Sequence, residues 1–267
     1  MARVLMKWGG GLITEKGALR TPRRDVIDQL AHMVARLKRS GNESMIVHGA
    51  GSYGHLIARR WNLHLGRDDD LEAEPYDGIR TQHDAVDQVR RDVLALNLEV
   101  IGALEAHGLR GRTYPPSMWA RGTGPSFEGT LPFMGSPQEI PVTFGDVVHM
   151  DPPQEFGILS GDDLMVRMAN ELDGIDHVVF LLEVDGVFDR DPVDPGATLL
   201  QQWTPEVDVA RTHHLEIDVT GGIGKKLDSA RLIARGGREV WFLNGHHPER
   251  LEQLVQGDVP IGTRIRA

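Results

Sequence analysis

Short apolar runs alternate along this chain with amphipathic stretches, and that alternation limits what it can fold into. Residues 3–6, 44–47, 178–184 and 239–243 read as strands, with two shorter ones at 140–142 and 146–149 around Gly145. Between them, residues 24–39 set Val26, Ile27, Leu30, Met33, Val34 and Leu37 at helical spacing. Residues 56–63, 84–107, 160–172 and 225–235 are the other predicted helices. Ser160 supplies a cap, and Asp162 and Asp163 occupy the first turn behind it. Strands and helices in turn predict an α/β fold with a mainly parallel sheet covered by helices. Residues 108–136, rich in Gly, Pro, Ser and Thr, interrupt the pattern and read as an irregular or hairpin excursion, with a plain surface loop slightly favoured over a lid or pocket wall.

A chain of 267 residues suits one large α/β domain, and no linker divides it, so 1–267 is taken as one unit. The formal net charge of −10 argues against a general binder of nucleic acid or membrane surfaces. A few lysines can still make a local anion site. The absence of cysteine excludes disulfides, thiolate catalysis and cysteine-ligated zinc. The start, MARVLMKWGG, lacks the pattern of a secretory signal, and the longest apolar run, 178–182, is far too short to span a bilayer. A cytoplasmic location is the expectation.

The stretch VHGAGSYGH at 47–55 carries the first chemical clue. Its glycines fit P-loop spacing, but His55 and Leu56 stand where Lys and Ser or Thr are required. A Walker-type site is thereby excluded. Gly49, Gly51 and Gly54 also fit a dinucleotide fingerprint. That reading needs a second strand delivering an acid, and no apolar run precedes Asp68, Asp69 and Asp70. What remains is a glycine turn at a helix start, offering backbone N–H groups and a histidine to an anion.

Two further turns resemble it. Lys7-Trp8-Gly9-Gly10-Gly11 follows the first strand, with Lys16 close behind. Asp218-Val219-Thr220-Gly221-Gly222-Ile223-Gly224-Lys225-Lys226 opens the late helix. Glycine turns flanked by lysines are what two polyanions meeting end to end require, and phosphoryl transfer imposes that requirement. The pair His213-His214 has no evident third metal ligand and reads as structural.

Taken together, the motifs resemble the amino-acid kinase superfamily and, within it, the isopentenyl phosphate kinases. The carriers are Lys7-x-Gly9-Gly10 with Lys16, the 48–55 turn, LNLEVIGAL at 96–104, Gly145-Asp146-Val147, Ser160-Gly161-Asp162-Asp163, VDGVFDRDP at 184–192, and VARTHH followed by DVTGGIGKK. The resemblance implies a three-layer αβα sandwich, a homodimer, and ATP with Mg²⁺. It also implies transfer of a phosphoryl group to isopentenyl phosphate. An acceptor part would cover about 1–175 and a nucleotide part about 176–267.

Carried over residue by residue, the catalytic set is Lys7, Lys16, His55, Asp162 and Lys226. The nucleotide would be held by Lys7, Gly9, Gly10, Gly11, Gly51, Glu183, Asp185, Gly186, Gly222 and Lys226. The acceptor phosphate falls to Ala50, Gly51, His55 and Gly161. Lys226 is chosen over Lys225 because Leu227 then matches the following apolar position. This chain departs from the pattern at Gly11, usually Ser, at Ala50, often Gly, and at Glu183, where Asp is expected. Competing expectations are another kinase of the same fold, acting on a phosphonate or forming an acyl phosphate, and a nucleotide sensor without catalysis.

Overall fold

The first strand shows how the pattern becomes layers. In β1 (Arg3–Trp8), Val4, Met6 and Trp8 enter one buried cluster while Leu5 enters another. A strand buried on both faces reads as continuous apolar sequence, and parallel sheets covered by helices require such strands. The computed structural model describes residues 1–15, 17–133, 138–206 and 222–267. After β1 come α1 (Gly10–Ile13), α2 (Arg24–Arg39), β2 (Glu43–His48), α3 (His55–Arg60) and α4 (Gln82–Ala106). Then follow β3 (Arg110–Thr113), β4 (Glu139–Phe144), β5 (Asp146–His149), β6 (Phe156–Leu159), α5 (Gly161–Glu171) and β7 (His177–Leu182). The chain finishes with β8 (Gln202–Trp203), α6 (Gly222–Arg235), β9 (Glu239–Asn244), α7 (Glu249–Gln256) and β10 (Thr263–Ile265).

Eight strands form the main sheet in the order β3-β4-β2-β1-β7-β9-β10-β8, and β5 pairs with β6 separately. The pairings are parallel from β3 across to β9, and β10 runs antiparallel to β9. One face carries α2, α3, α4 and α7; the other carries α5 and α6. This is the expected α/β sandwich of three layers around a mainly parallel sheet.

Two predicted helices begin where their caps dictate. Thr81 accepts from the Asp84 amide at 3.1 Å, so α4 starts at Gln82, two residues before the periodic pattern suggests. Ser160 does the same for α5 through Asp163. Several strand ends, by contrast, run past the expected bounds because the neighbouring strand extends the ladder, whereas β7 stops at Leu182, two residues short of its expected end. Pairing of Trp8 with His48 and Leu181 lengthens β1 to Trp8. The sequence pattern did not mark β3, β6, β8, β10 or α7. The strands among these have two to four residues, too few for periodicity to register.

The register brings the carboxyl ends of β1, β2, β4 and β7 to one edge. At the exits of β1, β2 and β4 a backbone N–H donates sideways to the adjacent strand. Gly9 donates to Leu181 O at 3.1 Å, Gly49 to Trp8 O at 3.0 Å, and Gly145 to His48 O at 3.1 Å. The chain leaves β1 toward β2 on one side and returns as β7 on the other, so β1 is the switch point. Open α/β sheets bind ligands at such a point.

Candidate active site

A cleft of about 490 Å³ opens at that edge. Its walls include Lys7, Gly9, Gly10, Gly11, Ala50, Gly51, His55, Gly161, Asp162, Glu183, Gly186 and Lys226. The structure therefore brings together most of the residues singled out from the sequence. Among the described residues, Asp185 is not on the wall. Asp185 turns its carboxylate to Asn244 Nδ2 at 3.0 Å and Arg250 Nη1 at 2.5 Å, tying the turn after β7 to β9 and α7. Gly222 opens α6, and Ile223 and Lys226 of that helix reach the wall. Lys16, the DVTGG turn through Gly221 and the histidines at 213–214 lie outside the described residues.

Lys7 sits near the end of β1, and its ammonium meets Asp162 Oδ1 at 2.5 Å. The strand's alternation puts Lys7 on the α5 side, and Gly161 makes room for it. A Cβ on Gly161 would stand 3.1 Å from Lys7 Cε. Lys226 Nζ approaches the other oxygen of Asp162 at 3.9 Å. Burial by itself raises the Asp162 pKa; the ammonium groups of Lys7 and Lys226 outweigh it and hold the carboxyl below its ordinary value. A buried carboxylate between two lysines fixes both ammonium groups at the cleft.

Lys225 takes a different partner. Its Nζ lies 3.1 Å from Asp163 Oδ2, the carboxylate that also closes the cap of α5 with Ser160. Lys225 is not among the residues lining the cleft.

His55 begins α3 and lines the same cleft as Glu183 and Gly186. Around it the lining turns apolar: Leu56, Ala58, Val89, Val147 and Ile158. Of the α4 valines considered from sequence as a lining for an apolar tail, Val89 reaches the cleft, while Val86 and Val93 are buried in the core.

Other participants were not legible in advance. Arg23 donates through Nη1 to Glu183 Oε1 at 2.9 Å and to Gly11 O at 3.2 Å, joining the turns after β1 and β7. Glu183 is thus held by an arginine that no local motif marks. Buried Asp146, at the start of β5, accepts from the Ser117 amide at 3.0 Å and the Val147 amide at 2.8 Å. Burial pushes its carboxyl pKa up against those bonds. His48 closes β2 fully buried; its Nδ1 donates to Gly49 O at 3.1 Å, and Nε2 lies 3.3 Å from the Asn97 side-chain oxygen. Burial lowers its pKa to about 4, so the ring is neutral in the fold.

The described part of the 108–136 excursion stays off the cleft wall. Trp119 packs edge-on against Phe127 and Phe133, and Arg167 of α5 covers the Phe127 ring at 4.4 Å. Residues 134–136 lie outside the described residues.

Comparison with known proteins agrees with this geometry. A model of the amino acid kinase family matches residues 2–244. The isopentenyl phosphate kinase of Thermoplasma acidophilum is 33% identical over 98% of this chain and 100% of its own length. That of Methanothermobacter thermautotrophicus is 30% identical over 98% of each chain. The solved product complex of the Thermoplasma acidophilum isopentenyl phosphate kinase superposes with a TM-score of 0.78 at 31% identity, covering 100% of both chains. Matched by this family model over most of its length, and by these kinases in sequence and fold over nearly all of it, the chain belongs to the amino acid kinase family and, within it, to the isopentenyl phosphate kinases.

Proposed function

We propose that this chain phosphorylates isopentenyl phosphate with ATP, giving isopentenyl diphosphate by direct in-line transfer. One observation carries the reading: glycine exits from neighbouring strands, His55, and the Lys7–Asp162–Lys226 cluster share one cleft. In this reading Lys7, Gly9, Gly10, Gly11, Gly186 and Lys226 hold the nucleotide phosphates. Ala50, Gly51, His55 and the Gly161 backbone hold the acceptor. Gly222 and Lys16 complete the nucleotide and catalytic sets, while Asp185 and Glu183 fix the turn after β7 through Arg250 and Arg23. Residues up to about 175 then serve the acceptor, and those from about 176 serve the nucleotide.

The acceptor is a phosphate monoester whose second pKa is about 6, so at neutral pH it is mostly a dianion and needs no general base. What it needs is alignment against like charge. Lys7 and Lys226, pinned by Asp162, neutralise charge where it builds up. His55 contributes a directional donor for the acceptor phosphate. The apolar wall of Leu56, Ala58, Val89, Val147 and Ile158 suits a short hydrocarbon tail. ATP supplies the phosphoryl group, and Mg²⁺ is taken to be carried by its phosphates, since this ion keeps mainly phosphate and water ligands.

A homodimer is part of the reading, supported by Leu94 and Leu98, exposed by 40% and 63% one turn apart on α4. So is a cytoplasmic location; among the described residues no helix is long and apolar enough to cross a membrane. Phosphorus NMR of the protein with Mg-ATP and isopentenyl phosphate tests the reaction. The monoester signal should give way to a diphosphate pair as ADP accumulates. Turnover on glutamate or carbamate, with isopentenyl phosphate untouched, would move the chain to an acyl-phosphate-forming role.

A further inference from the structure

The glycine exits of β1 and β2 touch each other through bare backbone. A Cβ on Gly10 would stand 2.6 Å from Gly51 N, and one on Gly49 would stand 2.6 Å from Gly10 N. Gly51 has a φ of +50°, and a Cβ there would fall 2.1 Å from Thr14 Oγ1. Thr14 is fully buried directly after α1. Its hydroxyl donates to Gly10 O at 2.7 Å and accepts from the Ser52 amide at 2.9 Å. The short 3₁₀ turn Gly51–Tyr53 has Ala50 at its cap position, with no side-chain cap hydrogen bond. A serine or aspartate there would satisfy the Ser52 amide locally. Thr14 supplies that oxygen from the other turn instead.

We propose that Thr14 is a positioning residue: its hydroxyl fastens the β1 exit to the β2 exit and so sets the separation of the two bound phosphates. The inference rests on the assignment of the β1 exit to the nucleotide and the β2 exit to the acceptor. Other links hold Ser52 as well, from the Arg20 amide at 3.3 Å to Ser52 O and from the Thr21 amide at 3.2 Å to Ser52 Oγ. These come from the loop beyond Thr14, and neither reaches Gly10. Thr14 contacts both exits through one oxygen. In-line transfer is sensitive to such spacing: a displacement of about 1 Å can cost about 10²-fold in rate.

The test compares Thr14→Val, which keeps the shape and removes the hydroxyl, with Thr14→Ser, which keeps the hydroxyl. Thr14→Val should lower kcat for isopentenyl phosphate by about 10²-fold. Calorimetric affinities for ATP and for isopentenyl phosphate, each alone, should change by no more than about threefold, because neither exit loses its own donors. Thr14→Ser should recover most of the rate. Amide hydrogen exchange at Ser52 should speed up in Thr14→Val and return to the wild-type rate in Thr14→Ser. Unchanged kcat in Thr14→Val overturns the proposal, as does a loss of rate matched by lost affinity for one ligand. A serine variant as slow as the valine one also overturns it, since the methyl group would then be what matters. If Thr14→Val does not fold, Thr14→Ala removes the same hydroxyl and is judged by the same measures. A wild-type protein inactive on isopentenyl phosphate counts against the proposed function alone. Exchange at Ser52 then decides whether the fastening exists.

Discussion

Asp162 and Asp163 each take one lysine of the Lys225–Lys226 pair, so adjacent residues with the same charge have different surroundings. Lys226 faces the cleft beside Lys7, whereas Lys225 closes on the cap of α5. Replacing Lys226 with Met should reduce kcat by about 10²-fold or more, the scale of losing one preorganised transition-state contact. Replacing Lys225 with Met should leave kcat within about tenfold. Steady-state kinetics of both variants decide between them, and the opposite ranking would transfer the role to Lys225. His48 carries a second prediction at this scale. Its pKa is lowered to about 4 in the fold, so below about 6.5 the unfolded chain takes up a proton that the folded one does not. Folded stability should therefore fall as pH drops from about 6.5 to about 4, by about 3 kcal/mol from this group. Urea midpoints across that window should shift less in His48→Asn. An equal shift in both proteins would assign the loss to other groups. His55 and Lys7 could be picked out in the sequence because each lies in a glycine-bearing motif. Arg23 and Thr14 could not: their partners Glu183 and Ser52 are far off in sequence, and neither pairing leaves a local pattern.

At the scale of elements, the glycine exits are contacts between neighbouring turns as well as flexible joints. Gly10→Ala sets a methyl group against the backbone of Gly51, which has no side chain that can swing away. The two turns must then separate. Overpacking of this kind costs about 1–3 kcal/mol in stability, and the displaced exits should slow phosphoryl transfer. Thermal melting and kcat measured on the same variant check both, and a variant with wild-type values would mean that the turns have slack. The start of α5 was readable because Ser160 acts on its own helix, whereas α4 was placed by its periodicity and begins two residues earlier, behind Thr81. The short strands β3, β6, β8 and β10 were not readable, because partners rather than propensity create them.

Over the whole molecule, one sheet delivers both halves of the cleft. Lys7 and Asp162 meet although 155 residues separate them. The surface has its own consequence: Leu94 and Leu98 on α4 are the proposed seat of a second copy. Light scattering should report a dimer for the wild-type protein and a monomer for Leu94→Glu/Leu98→Glu, with the fold retained. A wild-type monomer at micromolar concentration would remove the dimer from the reading.

The sequence by itself determined the alternation of strand and helix, the capped start of α5, and the glycine turns with their cationic neighbours. All of these are set within a few residues by side-chain period and backbone sterics. Only the tertiary structure decided which turns touch, which lysine faces the cleft, and that Asp185 meets Asn244 and Arg250. Those outcomes depend on the order of strands in a parallel sheet. Parallel neighbours are joined by long crossovers, so each contact across them is fixed by packing of the whole layer rather than by any short stretch of chain.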